Sequence, residues 1–285
     1  ADLASLSGAP CEKLPPDQLW QTSVDLVVCN VDAEKVIQWA KVNEDRVIWM
    51  SMPECINPSD IQPMVSLIIQ TEHEPQEGEV DHVGPVPTVK LMIHPGISRV
   101  QGSVEVDGTD VRGLTYAEIE ARRRAEAHLA YLKATVPGYE NALIVGECHL
   151  GVRETRRITG EYVLTIDDLL SQRRFEDVVA LNCRPLDQHI KGDIFKYQIF
   201  EGNHDIPLRA LIPKKVRNLL VAGRCISSDH LANASLRGAA TCLATGHAAG
   251  VAAALAASGN GQVRKVDFHQ IQQVLMGQGA ILRTA

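Results

Sequence analysis

Aromatic side chains are scarce, at 4% of the 285 residues. So few flat rings argue against a stacking platform for single-stranded nucleic acid. Positive charge is also short: 28 Lys and Arg stand against 35 Asp and Glu, and no basic run exceeds Arg122-Arg123-Arg124. A nucleic-acid surface needs a clustered basic face, so no such partner is expected. The seven cysteines (Cys11, Cys29, Cys55, Cys148, Cys183, Cys225 and Cys242) are odd in number and lack CxxC or other metal-ligand spacing. They read as reduced thiols of a cytoplasmic protein with no metal site. Ala1-Asp2-Leu3-Ala4 carries no signal-peptide pattern. GxGxxG, P-loop, GxSxG, HExxH and Ser/His/Asp signatures are all missing. What remains is an ordinary globular composition, 45% apolar and 22% charged, with room for about two domains.

Periodicity and turn signals predict a mixture of strands and helices. Trp20–Val31, Arg46–Met50, Val89–Ile93, Ser98–Val106 and Leu143–Val145 read as strands. Asp32 is the expected N-cap of a helix over Ala33–Val42, and Thr115-x-x-Glu118 the capping box of one over Tyr116–Thr135. That helix would turn Ala125, Leu129, Leu132 and Val136 inward and end at Pro137-Gly138. Thr165-Ile-Asp-Asp168 opens a further helix, and Asp267–Met276 is the last. The acidic stretch His73–Pro87 reads as a surface loop, and the run Met64–Ile69 suits either helix or strand.

The most distinctive stretch is Asn218–Ala257. An apolar strand over Asn218–Ala222 is expected to stop at Gly223-Arg224 and pass through a polar loop into a long Ala/Gly/Thr helix. A strand that ends in Gly and feeds a helix N-terminus is how open α/β sheets build a ligand crevice. Gly238, Cys242, Gly246, Gly250 and Ala254 fall every four residues, on one helical stripe. Glycine inside a helix costs about 1 kcal/mol against alanine, so the stripe implies close approach by a backbone or flat ligand. Length and the small-xxx-small spacing also fit a membrane helix. The Ala/Gly/Thr composition without flanking basic clusters or aromatic belts favours a buried helix, and no membrane partner is expected.

Other candidate chemistry is less specific. Arg153, Arg156 and Arg157, flanked by Gly151 and Gly160, could grip a carboxylate or phosphate; from spacing alone, pairing with Glu154 and Glu161 is favoured. Histidines beside acids (Asp187-x-His189, His204-Asp205, Asp229-His230) could act as bases with tuned pKa, or be satisfied structural groups; Asp81-His82 falls in the acidic surface loop and is set aside. Arg209 leads into the segment at Asn218 and could point into the same crevice.

Four blocks in order, Gly151-Val-Arg-Glu-Thr-Arg-Arg-Ile-Thr-Gly-Glu-Tyr162, Asp187-Gln-His189, Ile206-Pro-Leu-Arg209-Ala-Leu-Ile-Pro213 and Asn218-Leu-Leu-Val-Ala-Gly-Arg-Cys-Ile-Ser227 with its helix, resemble the FAD-dependent oxidoreductase family, within the glutathione-reductase-like flavoproteins. Leu208 stands where that family commonly has Tyr. The resemblance implies an α/β (α+β) fold: a mixed-sheet substrate domain over 19–205, preceded by a remnant of the FAD domain at 1–18 and followed by its C-terminal strand–loop–helix at 206–285. It implies FAD against Gly223, Arg224, Cys225, Asn233, Arg237 and Gly238, and a small-molecule substrate near His189, Arg209, Arg153 and Glu154. It further implies that the GxGxxG segment gripping the ADP half lies outside this sequence, on a partner chain or an upstream segment, or that the chain associates with copies of itself. A non-catalytic ligand-binding or interaction module without flavin is the alternative.

Overall fold

The structure is a computed structural model that describes residues 1–44, 47–50, 66–69, 96–190, 194–200, 202–259 and 261–282, with 47–50, 66–69 and 194–197 described as backbone only. The chain forms two compact units. One comprises Ala1–Pro15, Arg153–Gln188 and Lys196–Ala285, and the other Pro16–Val152 with His189–Phe195. Helices and small sheets together make a mixed α/β protein, as expected. Every strand ladder of described register is antiparallel. The expected strand at Val89–Ile93, the loop at His73–Pro87 and the pair Asp81-His82 lie outside the described residues.

The unit containing Pro16–Val152 is built on a three-stranded sheet in which Thr22–Cys29 lies between Ser98–Val104 and Leu143–Glu147. Asp32 caps the helix Ala33–Val42 by accepting from the Lys35 N–H at 3.2 Å. The ambiguous run resolves as a strand, Ser66–Ile69, paired with Val47–Met50.

The long helix starts earlier than its capping-box pattern predicts. It runs Val111–Thr135, because Asp110 accepts from the Arg112 and Gly113 N–H groups and nucleates a turn upstream. Thr115 therefore lies inside the helix and donates to the Val111 carbonyl at 3.0 Å. Glu118 pairs with Arg122 and accepts from the Leu150 N–H. Arg123 and Arg124 both meet Glu120, so the arginine triplet forms ion pairs, not a ligand surface. The helix presents Ala117, Ala121 and Ala125 at four-residue spacing, all fully buried. Beneath them lies Gly102, where any Cβ would run into the Ala121 carbonyl and the Ala125 nitrogen. Leu26, Val28, Val100, Leu129, Leu132, Val136 and Tyr139 complete this core.

The other unit pairs Val178–Asn182 with His204–Pro207, and Cys11–Lys13 with Arg156–Ile158. Thr165 and Asp168 form the expected capping box on the helix Ile166–Leu170. Asp267 caps the final helix, Phe268–Gly277. The Ala/Gly-rich helix is Ala239–Ser258, and it buries Thr241, Thr245, Ala248, Val251, Ala252 and Ala256. This face packs on the Val178–Asn182 strand and the final helix, within a core that includes Leu164, Leu169, Ile206, Leu211, Ile226, Leu236 and Ile271. The helix is long and apolar enough to cross a membrane by length and composition.

Two expectations about this segment need correction. Asn218–Ala222 is not a strand: Asn218 has a left-handed φ of 56°, and the Val221 N–H is spent on the Leu211 carbonyl. No ladder partner for it occurs among the described residues. The glycine stripe marks close packing within the described residues at Gly238, where a Cβ would collide with Arg184, but not at its two glycines inside the helix. Gly246 and Gly250 are exposed, and a Cβ at either would meet nothing within 4 Å.

These two kinds of glycine predict opposite outcomes. Gly102→Ala should cost about 2–3 kcal/mol, since backbone on the facing helix cannot yield cheaply. Gly246→Ala should be neutral or add up to about 1 kcal/mol by restricting the unfolded chain and favouring helix. Urea denaturation of the two variants checks both signs.

Candidate functional site

The loop before the Ala/Gly-rich helix is pinned by its own backbone. Gly223 adopts φ of 72°, a left-handed conformation suited to glycine, and donates its N–H to Thr245 Oγ1 at 3.0 Å. A Cβ at Gly223 would lie 3.6 Å from Cys242 Sγ. Gly223–Cys225 forms a 3-10 turn, leaving Arg224 exposed and Cys225 half-buried. The Ser227 N–H bonds the Ala210 carbonyl, while the Ser227 carbonyl accepts from Leu164. Asp229 then caps the short helix His230–Leu236 through the Ala232 N–H and also receives the Ile166 N–H.

Within this well-anchored loop several side-chain atoms are buried without a hydrogen bond: Ser227 Oγ, Ser228 Oγ, Asn233 Oδ1 and Arg237 Nε. Asn233 uses only its amide, donating from Nδ2 to the Arg224 carbonyl at 2.9 Å. A buried polar atom left unmade costs about 1–3 kcal/mol. Four within eleven residues suit a segment shaped to meet a polar ligand.

Arg237 sits at the junction of the two helices, its side chain 9% exposed. It donates from Nη2 to the Asp187 carbonyl at 2.5 Å, with Asp187 Oδ2 3.7 Å away. Burial pulls its guanidinium down to about 9, and Arg153 and Arg184 push the same way against Asp187. Arg184 grips Asp187 Oδ2 at 2.5 Å and the Ala234 carbonyl at 2.9 Å. Its chain crosses directly over Gly238, where a Cβ would collide with Arg184 Cδ.

A buried polar network backs this junction. Asn182 donates to Ser235 Oγ at 2.8 Å and lies 3.0 Å from His204 Nε2, while its Oδ1 accepts from Thr241 at 2.6 Å. Ser235 in turn donates to the Arg184 carbonyl at 2.5 Å. His204 is 1% exposed, and burial pushes its pKa down to about 4.

The other expected site residues are distributed unevenly. Glu154, 2% exposed, is ion-paired to Arg157 and contacts His230 Nδ1 at 2.9 Å. Desolvation and the positive charge of Arg157 lower His230 to about 4. Arg156 pairs with Asp2, and Glu161 with Arg264 instead of either neighbouring arginine. Arg209 clamps Asp177 in a bidentate pair, Nε to Oδ2 and Nη2 to Oδ1 both at 3.0 Å, above the Tyr162 ring. Arg153 is half-buried. His189 is buried and belongs to the other unit, where its carbonyl accepts from the Gln21 N–H. Sequence reasoning passed over Arg184 and Asp177, whose partners lie up to fifty residues away. It also passed over the link between His230 and Glu154, 76 residues apart. Arg184 and Asp187 are three residues apart, a spacing that could have flagged that pair.

Residues 1–275 match the family model described as FAD dependent oxidoreductase. The chain belongs to the FAD-dependent oxidoreductase family. Neither the curated proteins nor the solved structures give a match. Against the family's cofactor, the loop's chemistry fits: unpartnered acceptor and donor atoms, a left-handed glycine, and a 20-residue helix whose N-terminus carries partial positive charge. Among the described residues no group of three or more His, Cys, Asp or Glu could hold a metal.

The depressed His204 makes stability fall in acid. Its folded-state pKa of about 4 lies below the ordinary 6.5, so the unfolded chain takes up a proton that the folded chain refuses. Stability is full above about pH 6.5 and declines as pH drops towards 4, by about 3 kcal/mol from this group alone. Urea midpoints at pH 7.5, 6 and 5 should show the decline, and His204→Gln should make it shallower, leaving the share that His230 contributes.

Proposed function

We propose that this chain forms the substrate-binding and flavin-capping portion of a glutathione-reductase-like FAD-dependent oxidoreductase. The observation that carries the reading is the cluster of buried, unpartnered polar atoms on Ser227, Ser228, Asn233 and Arg237, set between left-handed Gly223 and a long helix. Flavin, when bound, supplies the hydride acceptor for oxidation of a small-molecule substrate. Gly223, Arg224, Cys225, Asn233, Arg237 and Gly238 are the residues that would hold it. Gly223 brings backbone close without a side chain. Asn233 fixes the Arg224 carbonyl with its amide and offers Oδ1. The N-terminus at Gly238 favours negative charge on a reduced ring.

On the substrate side we place Arg153, Glu154 and Arg209; His189, the other residue the family resemblance implies, lies in the other unit. Glu154 and Arg209 are committed to Arg157 and Asp177, so their proposed work is to hold the surrounding backbone and rings in place. No GxGxxG occurs in the 285 residues, and the ADP half would be gripped by a segment or chain that carries one. All six cysteines among the described residues are free, in keeping with a cytoplasmic setting.

Titration of FAD into the full chain, followed by quenching of flavin fluorescence, tests the reading. Saturable quenching is expected, and Asn233→Ala should weaken it about tenfold, the loss of one buried hydrogen bond. A chain that leaves FAD unquenched, alone and with a GxGxxG-bearing partner, supports a flavin-free ligand-binding module instead.

A further inference from the structure

The three-stranded sheet of the unit containing Pro16–Val152 ends on one side at Leu143–Glu147. Successive residues of a strand point to opposite faces, so a half-buried strand alternates between core and water. Leu143, Ile144 and Val145 do not alternate: they are 55%, 48% and 61% exposed. The inner side of the strand is paired with Thr22–Cys29, with Ile144 opposite Val28 and Leu143 opposite Cys29. Its outer side has no neighbouring strand among the described residues.

Single exposed apolar side chains need no explanation, but a run of them on a bare edge does. Such an edge is a template for another strand, and proteins commonly blunt it with lysine or proline. Leu143-Ile-Val-Gly146 has neither. A bulge at Val145, which the register to Thr22–Cys29 skips, limits the length of a new ladder without removing the apolar surface. The charges at the two ends decide what fits. Lys133, exposed on the helix Val111–Thr135, donates from Nζ to the Ala142 carbonyl at 3.1 Å, just ahead of the strand. Glu147 closes the other end, half exposed, with Oε2 held at 2.9 Å by Arg122. The edge thus runs from a cation to a carboxylate.

We propose that Leu143–Glu147 is a self-association edge, at which two copies of this chain join by antiparallel pairing about a twofold axis at Val145. In that register Leu143 faces Glu147, and Ile144 faces Gly146, whose missing side chain leaves room for the branched one. Lys133 of each copy then stands beside Glu147 of the other, so opposite charges meet at both ends. A parallel arrangement would set like charges together instead. The twofold operation uses up the edge and stops growth at a dimer. This assignment is independent of whether flavin binds.

Analytical ultracentrifugation of the full chain over a concentration series tests it. One short strand pair makes a small interface, so a dimer that dissociates at about 10–100 µM is expected. Val145→Lys sets two ammonium groups opposite each other on the axis and should weaken the dimer about tenfold or more. Lys133→Glu and Glu147→Lys each place like charges at both ends, and each alone should weaken it. An equimolar mixture of those two variants should recover the original association, because both ends are again complementary. Circular dichroism verifies folding, and the exposed charge-swap pair carries the test if Val145→Lys does not fold. A monomer at every concentration overturns the proposal, as does growth beyond a dimer. A dimer indifferent to Val145→Lys, or a mixture that recovers nothing, overturns it equally.

Discussion

Arg157 is the largest fully buried side chain among the described residues, and its charge ties its unit together. A guanidinium removed from water is tolerated only when its donors are met. Here Nη1 meets Glu154, Nη2 lies 3.0 Å from Glu12, and Nε donates to the Ser228 carbonyl at 3.1 Å. Those partners come from the first strand, from the segment after Arg153 and from the loop before His230. One cation thus fixes three stretches far apart in sequence, including the loop that carries the unpartnered polar atoms. His230 completes the group by sharing Glu154.

Near Arg237 the pairing differs. Arg157 ion-pairs with Glu154 and Glu12, whereas Arg237 and Arg184 both approach Asp187. Neither guanidinium is fully hydrogen-bonded, since Arg157 Nη2 and Arg237 Nε are both buried without a hydrogen bond; Arg157, a structural anchor, differs in its ion pairs to both Glu154 and Glu12. Bidentate Arg209–Asp177 belongs with the anchors: it is geometrically complete and stacked over Tyr162. The charge of Arg153 opposes that of Arg237.

Much of the secondary structure was legible because its signals are local. Asp32, Thr165 with Asp168, and Asp267 each cap the helix that their spacing announces. The Thr115 pattern failed for an equally local reason, since Asp110 offered a competing cap one turn earlier. Asn218–Ala222 looked like a strand because it is apolar, but a strand exists only when a neighbour accepts its hydrogen bonds. The small-residue stripe is tightly covered within the described residues at Gly238, beneath Arg184. Close backbone approach does occur in this protein, at Gly102 under Ala121 and Ala125, whereas Gly246 and Gly250 face open space.

By itself the sequence announced the helices through their caps and the family through its ordered blocks. These follow from spacing, capping and glycine placement within short windows. Only the tertiary structure decided which charges are spent and which remain: that Glu154 belongs to Arg157 and His230, that Arg209 belongs to Asp177, and that Arg237 is buried beside Arg184 with one carboxylate between them. Ion pairing depends on distances across tens of residues and on burial that strips away water. Neither is written in the spacing of neighbours along the chain.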